Sequence, residues 1–185
     1  MSPLREYKYH ISIIAAYLLV CVYFFFFTSS PFSYYNFNST DLLLVFPIVI
    51  LAFISFYAAN RFVQFGTIAI QKQSLAQLLK ISIYAGILIS LPEEIIFRGF
   101  MQTYVQSVIP NINAAVVVSA LIYGVAHVFN GAKGFRPREW NWKFATMVFI
   151  AGLFLGFSYA VTASLVVPTI LHTLFVIAMR VFIKD

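Results

Sequence analysis

Apolar residues run along this chain in long windows rather than at the three-and-four spacing of a half-buried helix. Windows rich in Leu, Ile, Val, Phe and Ala extend from about Ile11 to Phe27, Leu42 to Ala59, Ile81 to Ile109, Asn113 to Phe129, Phe144 to Val161 and Leu165 to Ile183. A bilayer is crossed by a helix of about 20 apolar residues. The pattern therefore predicts an all-α fold, a polytopic membrane bundle of about six transmembrane helices.

The polar intervals between these windows alternate in charge. Arg5 and Lys8 precede the first window, and the next interval has only Asp41; then come Arg61, Lys72 and Lys80. Pro110 to Asn113 is uncharged, Lys133, Arg136, Arg138 and Lys143 cluster, Thr162 to Ser164 carries nothing, and Arg180 and Lys184 close the chain. All of the Lys and Arg residues except Arg98 thus fall on one side, which by the positive-inside rule places the N- and C-termini in the cytoplasm and requires an even number of spans.

The first window is followed by Thr28-Ser29-Ser30-Pro31 without a small-residue cleavage site, which reads as an uncleaved anchor. Between Gln71 and Lys80, Leu75, Leu78 and Leu79 oppose Lys72, Gln73, Gln77 and Lys80, the pattern of a lateral amphipathic lead-in. Residues 1–80 are expected to form a two-span anchor with this lead-in, and residues 81–185 a separate helix core.

Composition removes the soluble alternatives. Hydrophobic residues make up 62% of the 185, and charged residues 10%, against roughly 25% charged in a soluble domain. With a mean hydropathy of +0.90, much of the exterior must face lipid, so membrane lipids are the expected surroundings and the cell membrane the expected location. The net charge of +6 does not indicate nucleic acid, because the cations are spread over several intervals instead of one face. Cys21 is the single cysteine, which excludes an intrachain disulfide and a multi-cysteine metal site.

With the intervals removed, the ionisable groups left at membrane depth are Glu93, Glu94, Arg98, His127 and His172. Intramembrane ionisable groups mark functional sites by default. Glu94 and Arg98 are four apart and can pair on one helix face, either as a staple between helices or as part of a site. Glu93 is rotated about 100° from Glu94 and has no partner within its own helix, so it must look to another helix, where the two histidines are candidates. One free carboxylate and two imidazoles suit water activation, with Glu93 as general base and a histidine orienting the water or stabilising an oxyanion.

Glu93, His127 and His172 could also hold zinc with an open position for water. No His-Glu-x-x-His helix is present, and the separations of the three say only that they stand on different helices, so spacing does not favour a metal; no cofactor is expected. Counted from Lys80, Glu93 lies roughly 20 Å inward at 1.5 Å per residue, whereas His127 lies near its cytoplasmic end. Pro92 offers a resolution, since proline disfavours helix at Leu91 and a break there would start a new helix nearer the leaflet.

At these residues the chain resembles the CPBP family (CAAX proteases and bacteriocin-processing enzymes, or Abi) of intramembrane endopeptidases. The family's Glu-Glu-x-x-x-Arg motif appears as Glu93-Glu94-Ile95-Ile96-Phe97-Arg98, followed by Gly99. Its Phe-x-x-x-His corresponds to Tyr123-Gly124-Val125-Ala126-His127, and its third motif to Gly152, Gly156, Ser164-Leu165-Val166-Val167-Pro168 and His172. The likeness covers about residues 81–180. It implies that Glu93 activates the attacking water, His127 assists, Glu94 and Arg98 order the site, and His172 binds or polarises the scissile carbonyl. It also implies glutamate-dependent rather than metal-dependent chemistry; were a metal used, Glu93, His127 and His172 would be its ligands.

Two positions depart from the pattern. Val176 stands where the family usually has Asn or Asp, one turn after the last histidine, and offers no side-chain donor. Tyr123 replaces Phe, one turn before His127 and on its face, so its hydroxyl is a candidate oxyanion donor; the other reading is a packing aromatic. The expected function is an intramembrane endopeptidase acting on a membrane-associated peptide or protein without an acyl-enzyme, since no Ser, Cys or Thr is clearly paired with a base. The alternatives are a bacteriocin self-immunity or binding protein with weak catalysis, and a small proton-coupled carrier; against the carrier, no internal repeat is seen.

Overall fold

The computed structural model describes residues 41–63, 67–68, 73–130, 133 and 136–184. The expected first span, Ile11 to Phe27, lies outside these residues. Five helices are described: α1 Asp41–Val63, α2 Leu75–Val108, α3 Ile112–Ala126, α4 Trp142–Thr162 and α5 Val166–Phe182. Two short strands, β1 Thr67–Ile68 and β2 Ile183–Lys184, pair antiparallel and tie the segment after α1 to the end of α5.

Side-chain caps set three of the helix starts. Ser74 Oγ accepts from Gln77 N at 3.3 Å while Gln77 Oε1 accepts from Ser74 N at 2.8 Å, a reciprocal box that opens α2. Asn111 Oδ1 accepts from Ala114 N, and Asn141 Oδ1 from Phe144 N, each at 3.1 Å, at the starts of α3 and α4. Each such cap contributes about 1 kcal/mol. The link from α4 to α5 turns at Ala163, held in the left-handed region with φ 50°. That conformation costs a non-glycine residue roughly 1–2 kcal/mol, and it folds α5 back beside α4.

α2 and α4 are long and apolar enough to cross a membrane, at 34 and 21 residues. The 34 residues of α2 would reach about 51 Å at 1.5 Å per residue, well beyond a hydrocarbon core of about 30 Å. α3 has 15 residues and α5 has 17, fewer than the about 20 of a perpendicular span.

The expected break at Pro92 does not occur, and the lead-in from Leu75 is not a separate lateral helix; both belong to one continuous α2. Leu91 keeps helical angles, φ −60° and ψ −51°, and its N–H bonds Gly86 O, five residues back. Two widened stretches of this i→i+5 kind, Tyr84–Ser90 and Ile95–Gln102, flank Leu91–Glu94. The widening puts the hydrogen-bond ladder out of step just before Pro92, where its missing N–H interrupts a ladder already shifted.

α3 and α4 pack most extensively, and α5 lies against α2 and α4. Close approach depends on glycine: a Cβ on Gly124 would stand 2.9 Å from Ala145 O, and one on Gly152 3.1 Å from the Tyr123 ring. The core gathers Phe97, Tyr123, Met147, Val148, Leu155, Val167 and Leu171, with Ile48 of α1 at its margin. From Leu88 to Gly99 no residue of α2 is exposed.

Candidate active site

Three helices converge where α2 is most enclosed. Glu93, Glu94 and Arg98 come from its middle, Tyr123 from the last turn of α3, His127 from the residue that caps α3, and His172 from α5. Glu94 and Arg98 are fully buried, and Glu93, His127 and His172 are at most 6% exposed. All five ionisable residues picked out in the sequence therefore meet in one place. Their helices are joined by packing that the spacing along the chain does not describe.

Glu93 Oε2 is the centre of the group. Tyr123 Oη donates to it at 2.8 Å, His127 Nε2 lies 3.5 Å away and His172 Nε2 3.9 Å away. The second neighbour of Tyr123 Oη is His172 Nε2, at 3.2 Å. The hydroxyl thus has one hydrogen and two neighbours, of which the carboxylate is nearer.

His127 Nδ1 lies 2.8 Å from the Tyr123 carbonyl. A carbonyl only accepts, so Nδ1 carries the hydrogen and Nε2 is turned toward Glu93. His172 is held in the same manner from the other side, with Nδ1 2.8 Å from Glu94 Oε1. Glu94 Oε2 lies 3.2 Å from Arg98 Nε. A chain of contacts therefore runs Arg98, Glu94, His172, Tyr123, Glu93, His127.

The paired and unpaired carboxylates have different surroundings. Glu94 meets a guanidinium, whereas the partners of Glu93 are a phenol and two imidazoles. Arg98 Nη2 reaches Gly152 O at 3.5 Å, and its guanidinium lies 4.8 Å from the centre of the Tyr123 ring. Arg98 Nε and Nη1, Glu94 Oε2 and the buried Ser90 Oγ have no hydrogen-bond partner among the described residues. Nε and Oε2 are close enough to attract as ions but poorly aligned for a hydrogen bond. Natural proteins leave few such groups, so their concentration here is informative.

Tyr123 is fixed by its ring. Phe97 meets it edge-on at 4.7 Å and His127 at 4.6 Å, and Gly152 gives it room. Val176, one turn after His172, supplies no polar atom. Among the described residues no group of three or more His, Cys, Asp or Glu is arranged to hold a metal ion.

One buried polar set escaped sequence reasoning. Gln102 Nε2 donates to Gly156 O at 2.9 Å, and Ser119 Oγ donates to Gln102 Oε1 at 3.3 Å. Its signal was spacing: Gln102 follows Arg98 by four residues, as Gly156 follows Gly152, so the two side chains dock on successive turns of α4.

The profile of the type II CAAX prenyl endopeptidase Rce1-like family matches residues 75–178. No curated protein and no solved structure matches the chain significantly. The matched region runs from the first turn of α2 into α5, takes in every residue of the buried cluster, and covers more than half of the chain; the protein belongs to this family of CAAX-type intramembrane proteases.

Proposed function

We propose that this protein hydrolyses a peptide bond in a membrane-associated protein or peptide, using water activated by Glu93 and His127. The observation that carries the reading is the environment of Glu93, a buried carboxylate without a guanidinium partner among the described residues, whose Oε2 lies 3.5 Å from an imidazole nitrogen turned toward it. A water between Oε2 and His127 Nε2 would donate one hydrogen to each and direct its lone pair at the scissile carbonyl. Glu93 takes the water proton as the C–O bond forms and returns it to the amine as the C–N bond breaks.

Charge develops on the carbonyl oxygen in that step. Tyr123 Oη is the donor best placed to meet it, turning its one hydrogen from Glu93 to the oxyanion and freeing Oε2 for the water. His172, oriented by Glu94, borders the same space, and Arg98 pairs with Glu94 from the side away from His172. This gives Tyr123 the task that Val176 has no atom to perform. Helices α2 to α5 form the catalytic core, and the residues before them an anchor, in a bundle of six spans with both termini cytoplasmic. The site then opens toward the cytoplasmic leaflet of the cell membrane.

The test is cleavage of a membrane-anchored peptide library by the purified full chain in liposomes, with wild type beside Glu93→Ala, each with and without a chelator. Products from wild type alone, insensitive to chelation, are expected. Equal cleavage by both proteins overturns the role of Glu93, and loss with the chelator overturns metal-free water activation. No cleavage by either, with both folded, favours the binding-protein reading that the polar gap at Val176 supports.

A further inference from the structure

The loop between α3 and α4, together with the first two residues of α4, carries a concentration of charge outside the buried cluster. Residues 130–143 contain Lys133, Arg136, Arg138 and Lys143 against one acid, Glu139. All four cations are exposed, and among the described residues none is in an ion pair. The acid is already engaged: Glu139 Oε2 accepts from Arg136 N at 3.2 Å. At the other end of the bundle, the links 109–111 and 163–165 have no charged residue.

Hydrogen bonds among the described residues hold the backbone that carries these cations. Pro137–Glu139 forms a 3-10 turn, with Glu139 N donating to Arg136 O at 2.8 Å and Lys133 N to Glu139 O at 2.9 Å. Trp142 Nε1 donates to Pro137 O at 2.8 Å while half of the residue stays exposed. Trp140 packs on Trp142 at 5.6 Å and edge-on against Phe129 at 5.1 Å. Amphipathic aromatics beside exposed cations are the composition of a surface at the boundary of hydrocarbon and headgroups.

We propose that this loop is a docking surface for acidic phospholipid, with Lys133, Arg136, Arg138 and Lys143 holding headgroup phosphates and Trp140 and Trp142 seated at the acyl boundary. Charge complementarity selects the occupant: four cations on one short loop face a layer of fixed anions. The surface is tied to the site by Asn141, whose N donates to Val128 O at 2.9 Å and whose Nδ2 donates to Asn130 O at 3.0 Å. These acceptors lie one and three residues after His127, so docked lipid fixes the segment on which the end of α3 rests.

The chain has two tryptophans, Trp140 in this loop and Trp142 at the first residue of α4, so tryptophan emission, excited selectively over tyrosine, reads this surface alone. The full chain is reconstituted in phosphatidylcholine vesicles containing equal small fractions of brominated phosphatidylglycerol or brominated phosphatidylcholine. Brominated phosphatidylglycerol is expected to quench roughly twofold or more above its neutral counterpart, and the difference should shrink as salt is raised. Changing the four cations to Gln should equalise the two lipids. Equal quenching of wild type overturns the proposal, as does a preference that survives salt and the four substitutions. Should the fourfold variant fail to fold, the salt series on wild type decides alone. Inorganic phosphate that shifts tryptophan emission in neutral vesicles and abolishes the lipid preference would instead assign a soluble anion and overturn the lipid reading. The quenching needs no cleavage, so its result is independent of the proteolytic reading.

Discussion

Arg98 and Gln102 stand one turn apart on α2, both fully buried, and both reach a glycine carbonyl of α4. Around Gln102 the polar atoms are neutral and matched: its amide nitrogen has Gly156 O, and its oxygen has Ser119 Oγ. Around Arg98 the groups are charged and incompletely matched, with Arg98 Nε and Nη1 and Glu94 Oε2 lacking hydrogen bonds among the described residues. A satisfied neutral network specifies how helices pack. A charged one with open valences costs stability, and it is the kind of arrangement found where groups must change partners during a reaction. The contrast separates a neutral clamp from the proposed active site within two turns of one helix.

The strongest way to break this contrast is at Glu93. Glu93→Gln keeps the shape and removes the base, so cleavage should fall about 10²- to 10⁴-fold, while thermal unfolding remains near that of wild type. Mass spectrometry of the peptide products measures the first and a melting curve in detergent the second. A variant that cuts as well as wild type would remove Glu93 from the chemistry.

Arg98 tests the cost of charge. Arg98→Met leaves Glu94 buried beside His172 without its guanidinium, and the expected loss of stability is about 3–5 kcal/mol. Pairing the change with Glu94→Gln should recover part of that loss, because the uncompensated charge goes too. Unfolding of the single and double variants gives the coupling, and strictly additive losses would show that the pair is no staple.

Legibility from sequence follows the same division. Glu93, Glu94, Arg98, His127 and His172 stood out because each is costly in an apolar window, and Tyr123 because it stands where the resembled family has Phe, one turn before His127. Gln102, Ser119 and Ser90 did not, since neutral polar residues occur in membrane helices for many reasons. The continuity of α2 through Pro92 was illegible for another cause. Proline chemistry favours a break, and only the packing around residues 88–99 shows that the helix widens to i→i+5 bonding and continues. The all-helical fold was plain from the apolar windows, but the helix lengths were not: α2 absorbs the lead-in and α3 stops at Ala126, which leaves His127 as its cap.

Tyr123→Phe addresses the boundary between packing and chemistry. Phe keeps the contacts with Phe97 and His127 and deletes only the hydroxyl between Glu93 and His172. Loss of an oxyanion donor lowers kcat about 10²- to 10³-fold, whereas a packing role leaves kcat intact. Single-turnover cleavage at saturating peptide distinguishes the two, and the variant's melting point serves as the control.

The smallest effect is expected at Gln102, for a reason visible in its partners. Gln102→Leu removes the amide but strands neither neighbour: Gly156 O lies within α4, and Ser119 Oγ still donates to Val116 O at 3.1 Å. The loss should therefore stay near about 1 kcal/mol in unfolding, the net value of a hydrogen bond whose partners keep alternatives, with kcat unchanged. Gly156→Ala approaches the same contact from α4, placing a Cβ 2.9 Å from Gln102 Oε1 and 3.2 Å from Val116. Because the nearer atom is the end of a flexible side chain, it too should cost stability and leave kcat intact. A large fall in kcat for either variant, with stability little changed, would make Gln102 part of the working site and erase the distinction between the two clusters.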